Sequence, residues 1–339
     1  MKIEYHQYQL QLKDTFRISH ASRDVQPSLV VSVSHDGVTG FGEAAATSYY
    51  GVTVESMMKA LQKVEQIVEN HIEEPPEIIW EKIYPELKTE TFALCALDMA
   101  LHDLYGKRKQ QPLYKLWNLD PAKVPQTSYT IGIASTEEMI RKIKDFPWPL
   151  YKIKLGTDHD IEIIKELRKH TNSVFRIDAN VAWAANQAIE NSHVLKELNV
   201  EFLEQPLAVD DLEGQKLLYQ NSALPVIADE SCIVESDVEK CAEYFHGVNI
   251  KLTKCGGITP ALRMIAKAKA LGLKTMVGCM TESTVGISAI AQLAPMLDYV
   301  DMDGALLLKN DTATGVKITS EKVIYPSENG TGVKLFKFE

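Results

Sequence analysis

The spacing of apolar residues divides the chain into two parts with different periodicities. In the first part, residues 2–12 alternate between apolar and polar, and residues 27–45 form two strand-like runs that meet at the turn formers Asp36–Gly37. From about residue 54 to residue 116 the apolar positions recur at helical spacing instead. The pattern predicts a mixed α+β domain over residues 1–120.

In the second part, from about residue 125 onward, short apolar runs alternate with amphipathic stretches. Such alternation is typical of parallel strands joined by crossover helices. Eight runs have the pattern of strands: "TSYTIGI", "LYKIKLG", "VFRIDAN", "VEFLEQP", "PVIADES", "GVNIKLTKCGG", "LKTMVGCM" and "YVDMDGALLL". Eight such units are typical of a TIM-type barrel. We therefore predict a barrel over residues 121–309 and a strand-like segment over residues 310–339 that returns to the first domain.

Composition and charge narrow the class of protein. A hydrophobic content of 45% and a charged content of 24% are ordinary for a soluble globular chain of 339 residues. The net charge of −10 argues against a nucleic acid or an anionic membrane as the partner. No apolar run reaches the roughly 18 residues of a transmembrane helix, and the N-terminus lacks a signal-peptide core. Five scattered cysteines without a CxxC motif fit a reduced, cytoplasmic setting.

The second barrel run, "LYKIKL", carries Lys152 and Lys154 two residues apart. Residues i and i+2 of a strand point to the same face. Two ammonium groups on a buried face would be costly unless something negative lies opposite them. Taken alone, the pair also fits an edge strand with solvated lysines. The interpretation therefore depends on what the other strands carry.

Charged residues recur near the ends of successive barrel runs, about 25 residues apart, which is the length of one short strand–helix unit. Equivalent strand positions in a barrel converge on the mouth at the carboxyl ends of the strands, where active sites lie. We expect the following residues to meet there: Lys154, Asp178, Glu204, Asp229, Lys251 and Asp303.

Three consecutive members of this series are carboxylates, which would repel one another if brought together. A hard divalent cation resolves the repulsion, and Mg²⁺ prefers oxygen ligands while keeping positions open for substrate. One strand-end acid alone would more simply cap the following helix. Three in consecutive units, flanked by lysines, predict one Mg²⁺ per subunit held by Asp178, Glu204 and Asp229.

The lysines on either side of the carboxylates indicate acid–base chemistry. Lys154 lies on the second barrel strand and Lys251 on the sixth, so the two should face each other across the mouth. A metal that binds a substrate carboxylate acidifies the adjacent carbon, and removal of its proton gives an enediolate. Burial and a nearby cation can bring the pKa of a lysine toward ~7–8 for this role. Two such bases on opposite faces predict racemisation or epimerisation.

Several of these runs resemble the motifs of a known family. The segments "YKIKLG", "FRIDAN", "EFLEQP", "IADES" and "NIKLTKCGG" are similar to the signature of the enolase superfamily, muconate lactonizing enzyme subgroup, and the resemblance covers essentially the whole chain. It implies an N-terminal capping domain completed by the C-terminal tail, and a (β/α)7β barrel. It also implies that Lys152 supports the acid/base pair and that three residues surround the metal ligands: Asn180, Gln205 and Glu230.

The eighth run carries Asp301 and Asp303 two apart, which resembles the DxD motif of dipeptide epimerases. By that resemblance the pair holds the α-ammonium of an Ala-X dipeptide while the metal holds its carboxylate. Thr130 matches a strand-one hydroxyl near the substrate carboxylate. Arg23, in one of two predicted capping loops (residues 18–26 and 48–53), matches an arginine that meets a distal carboxylate. We predict epimerisation of the second residue, with X being Ala, Glu or small and hydrophobic, by a homo-oligomeric enzyme.

Other members of the subgroup are the main alternative: an N-acylamino acid racemase, an o-succinylbenzoate synthase or a cycloisomerase. Their substrates lack a free ammonium, which would leave Asp301 and Asp303 without a partner. A mandelate racemase-type mechanism needs a histidine on a late barrel strand, and none of the nine histidines lies in those runs. A Schiff-base lyase would not need three acids. A non-catalytic binding protein on this fold would not need every charged position.

Overall fold

The computed structural model describes residues 1–18 and 21–336. Its first domain begins with an antiparallel sheet of β1 (Lys2–Ile18), β2 (Ala21–His35) and β3 (Val38–Ala45). The predicted turn between β2 and β3 is present, with φ values of 49° at Asp36 and 77° at Gly37. Positive φ at both central residues gives the tight turn that suits the twist of two antiparallel strands.

Five helices follow the sheet, as the helical spacing predicts: α1 (Val54–Gln62), α2 (Glu65–His71), α3 (Pro76–Leu87), α4 (Thr91–Arg108) and α5 (Leu113–Leu116). Helix α4 is buried on almost every side and lies against β3. The approach requires glycine on β3, because a Cβ at Gly42 would lie 2.1 Å from the carbonyl oxygen of Ala96.

All eight predicted barrel strands are present: β4 (Tyr129–Ile131), β5 (Leu150–Lys154), β6 (Val174–Asp178), β7 (Val200–Glu204), β8 (Val226–Ala228), β9 (Gly247–Ile250), β10 (Lys274–Gly278) and β11 (Tyr299–Asp301). They pair in parallel in chain order, and a bridge between Thr127 and Val300 joins the first strand to the last. The predicted barrel is therefore confirmed. Eight helices connect or follow the strands: α6 (Thr136–Asp145), α7 (Asp160–Arg168), α8 (Ala185–Glu197), α9 (Leu212–Asn221), α10 (Asp237–Cys241), α11 (Leu252–Cys255), α12 (Ile258–Ala270) and α13 (Thr284–Leu293).

Two buried carboxylates of the first domain hold it on the barrel. Glu43 of β3 accepts hydrogen bonds from the backbone N–H groups of Ser283 and Gly286 at the start of α13. Asp98 of α4 accepts from the backbone N–H and hydroxyl of Thr259 at the start of α12. Negative charge at a helix N-terminus satisfies the free N–H groups and complements the helix dipole. These contacts fix the capping sheet above the carboxyl ends of the barrel strands.

The C-terminal segment forms four short strands: β12 (Ala313–Thr314), β13 (Lys317–Ile318), β14 (Val323–Ile324) and β15 (Lys334–Leu335). They pair with one another rather than joining the three-stranded sheet. Ala313 and Val333 nevertheless pack against Val30 of β2, so the segment contacts the capping domain as predicted. Residues 337–339 of the predicted segment lie outside the described residues.

The prediction of a first capping loop over residues 18–26 was wrong for residues 21–26, because these belong to β2 and pair with β1. The physical reason is that the two strands extend past the sheet as a hairpin, with Phe16 opposite Arg23 and Ile18 opposite Ala21. Ser19 and His20 of that loop lie outside the described residues. Among the helices of the described chain, none combines the length and apolar character that crossing a bilayer requires.

Candidate active site

Three carboxylates meet where the strands end at the barrel mouth. Asp178 and Glu204 are the last residues of β6 and β7, and Asp229 directly follows β8. All three are buried, and one oxygen from each lies within 4.8 Å of the others. The pairing register places Asp178 beside Glu204, as equal strand positions in a barrel require. The residues predicted from their spacing are therefore brought together.

The protonation of these acids depends on their neighbours. Burial alone would raise the pKa of Asp178, but the ammonium groups of Lys154 and Lys152 outweigh it and lower the pKa to about 2. Burial and then the charge of Asp178 raise the pKa of Glu204 to about 7. The difference reflects three acids crowded into one low-dielectric space, where full ionisation needs more positive charge than the lysines provide.

The donor set fits a hard divalent cation. Oxygens of Asp178, Glu204 and Asp229 lie within 4.8 Å of one another, although Lys152 Nζ is only 2.9 Å from Glu204 Oε1 and 2.8 Å from Oε2. One ion ligated by the three acids would offset their mutual repulsion, and an all-oxygen set suits Mg²⁺.

The lysines of "LYKIKL" face these acids, which answers why a buried strand carries them. Lys152 Nζ lies 3.0 Å from Asp178 Oδ2 and donates to Asp301 Oδ2 at 3.2 Å. Lys154 Nζ donates to Asp178 Oδ2 at 2.5 Å. Both lysines are buried in the mouth, where their positive charges offset the acids.

Lys251 lies on the opposite side of the mouth. It follows β9, four strands from β5 in the eight-stranded order, and donates to Asp229 Oδ2 at 2.8 Å. Burial lowers the pKa of Lys251, but the carboxylates of Asp229 and Glu204 outweigh it and raise the pKa. A cation shared by those carboxylates would reduce this effect, because it neutralises the same charges.

Lys254 belongs to the same cluster of charges, although the strand-end pattern does not include it. Its side chain is fully buried, and Nζ donates to Asp229 Oδ1 at 2.6 Å and to the carbonyl oxygen of the same residue. Lys251 and Lys254 therefore hold opposite oxygens of one carboxylate. A signal was present in "IKLTKCGG", where a second lysine stands in an apolar run, as in "LYKIKL".

We expect Lys254→Met to weaken Mg²⁺ binding at least about tenfold, because residues that orient a metal ligand typically contribute 10- to 100-fold in affinity. Isothermal titration of the metal-free protein with Mg²⁺ measures this directly. Lys267→Met is the matched control, since Lys267 pairs with Glu239 on the outer helices and should leave the affinity unchanged. Unchanged Mg²⁺ affinity in the folded Lys254 variant would contradict the assignment.

The eighth barrel strand brings a second pair of acids to the mouth. Asp301 Oδ1 accepts from the hydroxyl of Ser128 at 2.9 Å, and Asp303 Oδ2 accepts from the backbone N–H of Thr130 at 2.6 Å. Asp303 precedes the 3₁₀ turn Gly304–Leu307, but its side chain makes no capping hydrogen bond there. Burial and the charge of Asp301 raise the pKa of Asp303 to about 8. Lys152 pairs with Asp301, but no lysine or arginine of the described residues pairs with Asp303, and both acids line the cavity at the mouth.

Thr130 lines the cavity, and its predicted place near the substrate carboxylate stays a prediction. Its backbone reaches Asp303 because β4 adjoins β11 where the barrel closes. Thr130 also lies beside Lys152 in the strand register, so it stands between the two groups of acids.

The three residues expected around the metal ligands shape the backbone there. Gln205 Oε1 accepts from the backbone N–H groups of Asp229 and Ser231, at 3.0 and 3.1 Å. Asn180 Nδ2 donates to Glu230 Oε1 at 3.4 Å, and burial raises the pKa of Glu230 to about 7. Gln205 and Asn180 have φ values of 35° and 42°, which cost non-glycine residues roughly 1–3 kcal/mol each. Such strain is typical of functional sites.

The capping domain closes the mouth into a cavity of about 100 Å³. Its walls include Phe16, Arg23 and Tyr50 from the capping domain, together with Lys154, Lys251, Asp301 and Asp303 from the barrel. The Arg23 guanidinium bonds to Gln26 Oε1 and lies 5.9 Å from the ring centre of Phe16. Three predicted lysines and both acids of the eighth run line this cavity: Lys152, Lys154, Lys251, Asp301 and Asp303. Asp178, Glu204 and Asp229 do not line it themselves, but each accepts a hydrogen bond from one of the three lysines.

Comparisons with known proteins agree with this geometry. The profile described as enolase C-terminal domain-like matches residues 136–337, and that of the mandelate racemase/muconate lactonizing enzyme N-terminal domain matches residues 3–117. The chain is 59% identical to the L-Ala-D/L-amino acid epimerase of Flavobacterium johnsoniae, over 99% of this chain and 100% of the relative.

Two solved structures are similar over 98% of both chains. The substrate-liganded L-Ala-D/L-Glu epimerase of Bacillus subtilis has a TM-score of 0.89 at 28% identity. The dipeptide epimerase of Enterococcus faecalis, complexed with Mg and the dipeptide L-Leu-L-Tyr, has a TM-score of 0.88 at 29% identity.

Proposed function

We propose that this chain, which belongs to the mandelate racemase/muconate lactonizing enzyme family of the enolase superfamily, is a dipeptide epimerase. It inverts the α-carbon of the second residue of Ala-X dipeptides. One observation carries the proposal: a single cavity is lined by two acids that could hold an ammonium and by a lysine on each of two opposite sides, and those lysines contact a buried group of three acids suited to a metal ion.

The carboxylate end is the group formed by Asp178, Glu204 and Asp229. Mg²⁺ bound there would polarise the substrate carboxylate and stabilise the negative charge that develops when the α-proton leaves. Lys152 adds a fixed positive charge beside the same acids. The relatives' names and bound groups support this assignment, since one was crystallised with Mg and a dipeptide.

The proton transfers belong to Lys154 and Lys251. Because they lie four strands apart, a substrate held between them presents one face to each ammonium or amine. The lysine that is neutral takes the α-proton, and the protonated lysine opposite returns one to the other face. The direction of reaction only exchanges the two roles, so both epimers of X are substrates.

The ammonium end is the pair Asp301 and Asp303. Lys152 pairs with Asp301, whereas Asp303 has no such partner among the lysines and arginines of the described residues. An α-ammonium would provide one at the distance of a peptide unit from the second α-carbon. An N-acylamino acid lacks that charge, so the pair disfavours the N-acylamino acid racemase alternative. Homo-oligomer formation stays a prediction.

A matched pair of substrates tests the ammonium assignment. We expect N-acetyl-Ala-Ala to react with a kcat/KM at least ~10²-fold below that of Ala-Ala, about 2.7 kcal/mol, because acetylation removes a charged, desolvated hydrogen-bond donor and keeps the carboxylate. The measurement is the rate of loss of the second residue's chirality. Equal turnover of the two substrates would sink the dipeptide assignment and favour an N-acylamino acid racemase.

The identity of X is set on the capping side. Arg23 is a half-buried cation in the cavity wall, which favours an acceptor group on X, although Ala and small hydrophobic residues also fit the space. We propose Ala-Ala and Ala-Glu as substrates of the same enzyme. Arg23→Met should raise KM for Ala-Glu more than for Ala-Ala.

A further inference from the structure

An open groove lies outside the cavity, between the β1–β2 hairpin and the segment that leads into α1. We call it the hairpin groove. It has a volume of about 930 Å³, and its walls include Gln7 and Gln9 of β1, Val25 of β2 and Ser48. Four residues line both spaces: Ile18, Arg23, Thr47 and Tyr49. The groove is therefore continuous with the cavity.

The stereochemistry of the proposed reaction points X toward the groove. When the α-proton leaves, the three remaining substituents of the α-carbon lie close to one plane, with the lysines above and below it. One substituent, the carboxylate, is directed to Asp178, Glu204 and Asp229, and another, the peptide nitrogen, toward Asp301 and Asp303. The side chain of X takes the third direction, and the shared wall offers it a way out.

The two ends of a dipeptide cannot be extended in the same way. An added residue at the N-terminus would remove the ammonium that Asp301 and Asp303 need. One at the C-terminus would remove the carboxylate. Because both ends are directed to acids at the barrel mouth, the side chain of X is the part of the substrate that can continue into the groove.

The side chains that line the groove indicate which chemical group on X could extend into it. At its inner end Arg23 forms no salt bridge with any residue of 1–18 or 21–336, and its guanidinium donates to a neutral amide oxygen, that of Gln26. The only carboxylate among the lining residues described is Glu55, at the start of α1. Between these ends the polar side chains are amides and hydroxyls, such as Gln9, Thr47 and Ser48. Uncharged groups that donate and accept suit an amide chain, and a guanidinium donates to its carbonyl.

We propose that the hairpin groove accepts a side chain of X that is extended through an amide, so that the substrates include Ala-X dipeptides in which X is glutamate amide-linked at its γ-carboxyl. The inference rests on the proposed function. It widens the substrate class from free dipeptides to those with a substituted second side chain.

The test compares Ala-Gln with its derivative in which the side-chain amide nitrogen carries a carbamoylmethyl group. Both keep the ammonium, the carboxylate and the γ-amide. We expect the two kcat/KM values to agree within about tenfold, while Gly-Ala-Gln, extended at the N-terminus, falls at least about 10²-fold below Ala-Gln. Turnover of Ala-Gln with a loss of 10²-fold or more for the derivative would overturn the proposal.

A groove-filling variant gives an independent readout. Gln9 is exposed on β1 and lines the groove, so Gln9→Trp should lower kcat/KM for the derivative at least about tenfold and leave Ala-Gln within about threefold. Gln11→Trp, exposed two residues further along the same strand and outside the groove lining, should change neither. Equal losses on both substrates in Gln9→Trp would count against the groove. If wild type turned over neither substrate nor Ala-Ala, the proposed function itself would fail.

Discussion

Lys154→Ala and Lys251→Ala are each expected to lower epimerisation at least about 10³-fold, within the range of 10²–10⁴ that a positioned acid or base contributes. Inversion needs both lysines, because one removes the α-proton and the other returns a proton to the opposite face. Each variant should still exchange the α-proton of one epimer with solvent deuterium, since the remaining lysine reaches its own face. Mass spectrometry of each epimer in D₂O separates the two effects.

The matched control is Lys274→Ala. Lys274 begins a barrel strand, β10, but lies at the opposite end of the barrel, where its Nζ bonds to Asp298 at 2.8 Å. Its replacement should leave epimerisation unchanged. Near-normal epimerisation in either mouth variant, or loss of exchange from both epimers in one folded variant, would mean that the two-base assignment is wrong.

Removal of the metal should have an effect of similar size. The Mg²⁺ site is predicted to contribute several kcal/mol of charge stabilisation, so excess EDTA should lower activity at least about 10³-fold and added Mg²⁺ should restore it. Glu204→Gln should reproduce the loss and weaken Mg²⁺ binding in a calorimetric titration, because the amide keeps the shape but loses the charge.

Glu201→Gln is the control for this variant. Glu201 lies on the same strand, β7, but away from the mouth. It accepts a hydrogen bond of 2.7 Å from Arg176. A carboxamide there keeps an acceptor for the arginine, so metal binding and activity should persist. Activity that is insensitive to EDTA, or an ion found away from Asp178, Glu204 and Asp229 in crystals, would refute the metal assignment.

Much of the barrel and of the site was predictable because both follow from short-range patterns. Each barrel strand is a continuous apolar run, and a charge at its end is carried to the mouth by the fold alone. Asp178, Glu204 and Asp229 therefore came together as their spacing indicates. The fully buried lysines of "LYKIKL" were interpretable once those acids were placed opposite them.

Features that depend on tertiary pairing were not predictable. Arg23 lies in a strand because β1 and β2 continue to pair beyond the sheet. The local sequence lacks a clear alternation of apolar and polar residues, so it does not predict this pairing. The place of Thr130 depends on closure of the barrel between its first and last strands. Lys254 contacts Asp229 because the chain forms a single helical turn, α11, directly after β9. The spacing of apolar residues does not predict so short a helix.

Proton NMR of L-Ala-L-Ala incubated with enzyme and Mg²⁺ in D₂O tests most directly whether the second residue is epimerised. We expect the α-proton signal of the second residue to disappear, signals of the L-Ala-D-Ala diastereomer to grow toward an equal mixture, and the first residue to keep its α-proton. Exchange confined to the first residue, exchange of the second without any diastereomer, or no exchange at all would contradict this expectation.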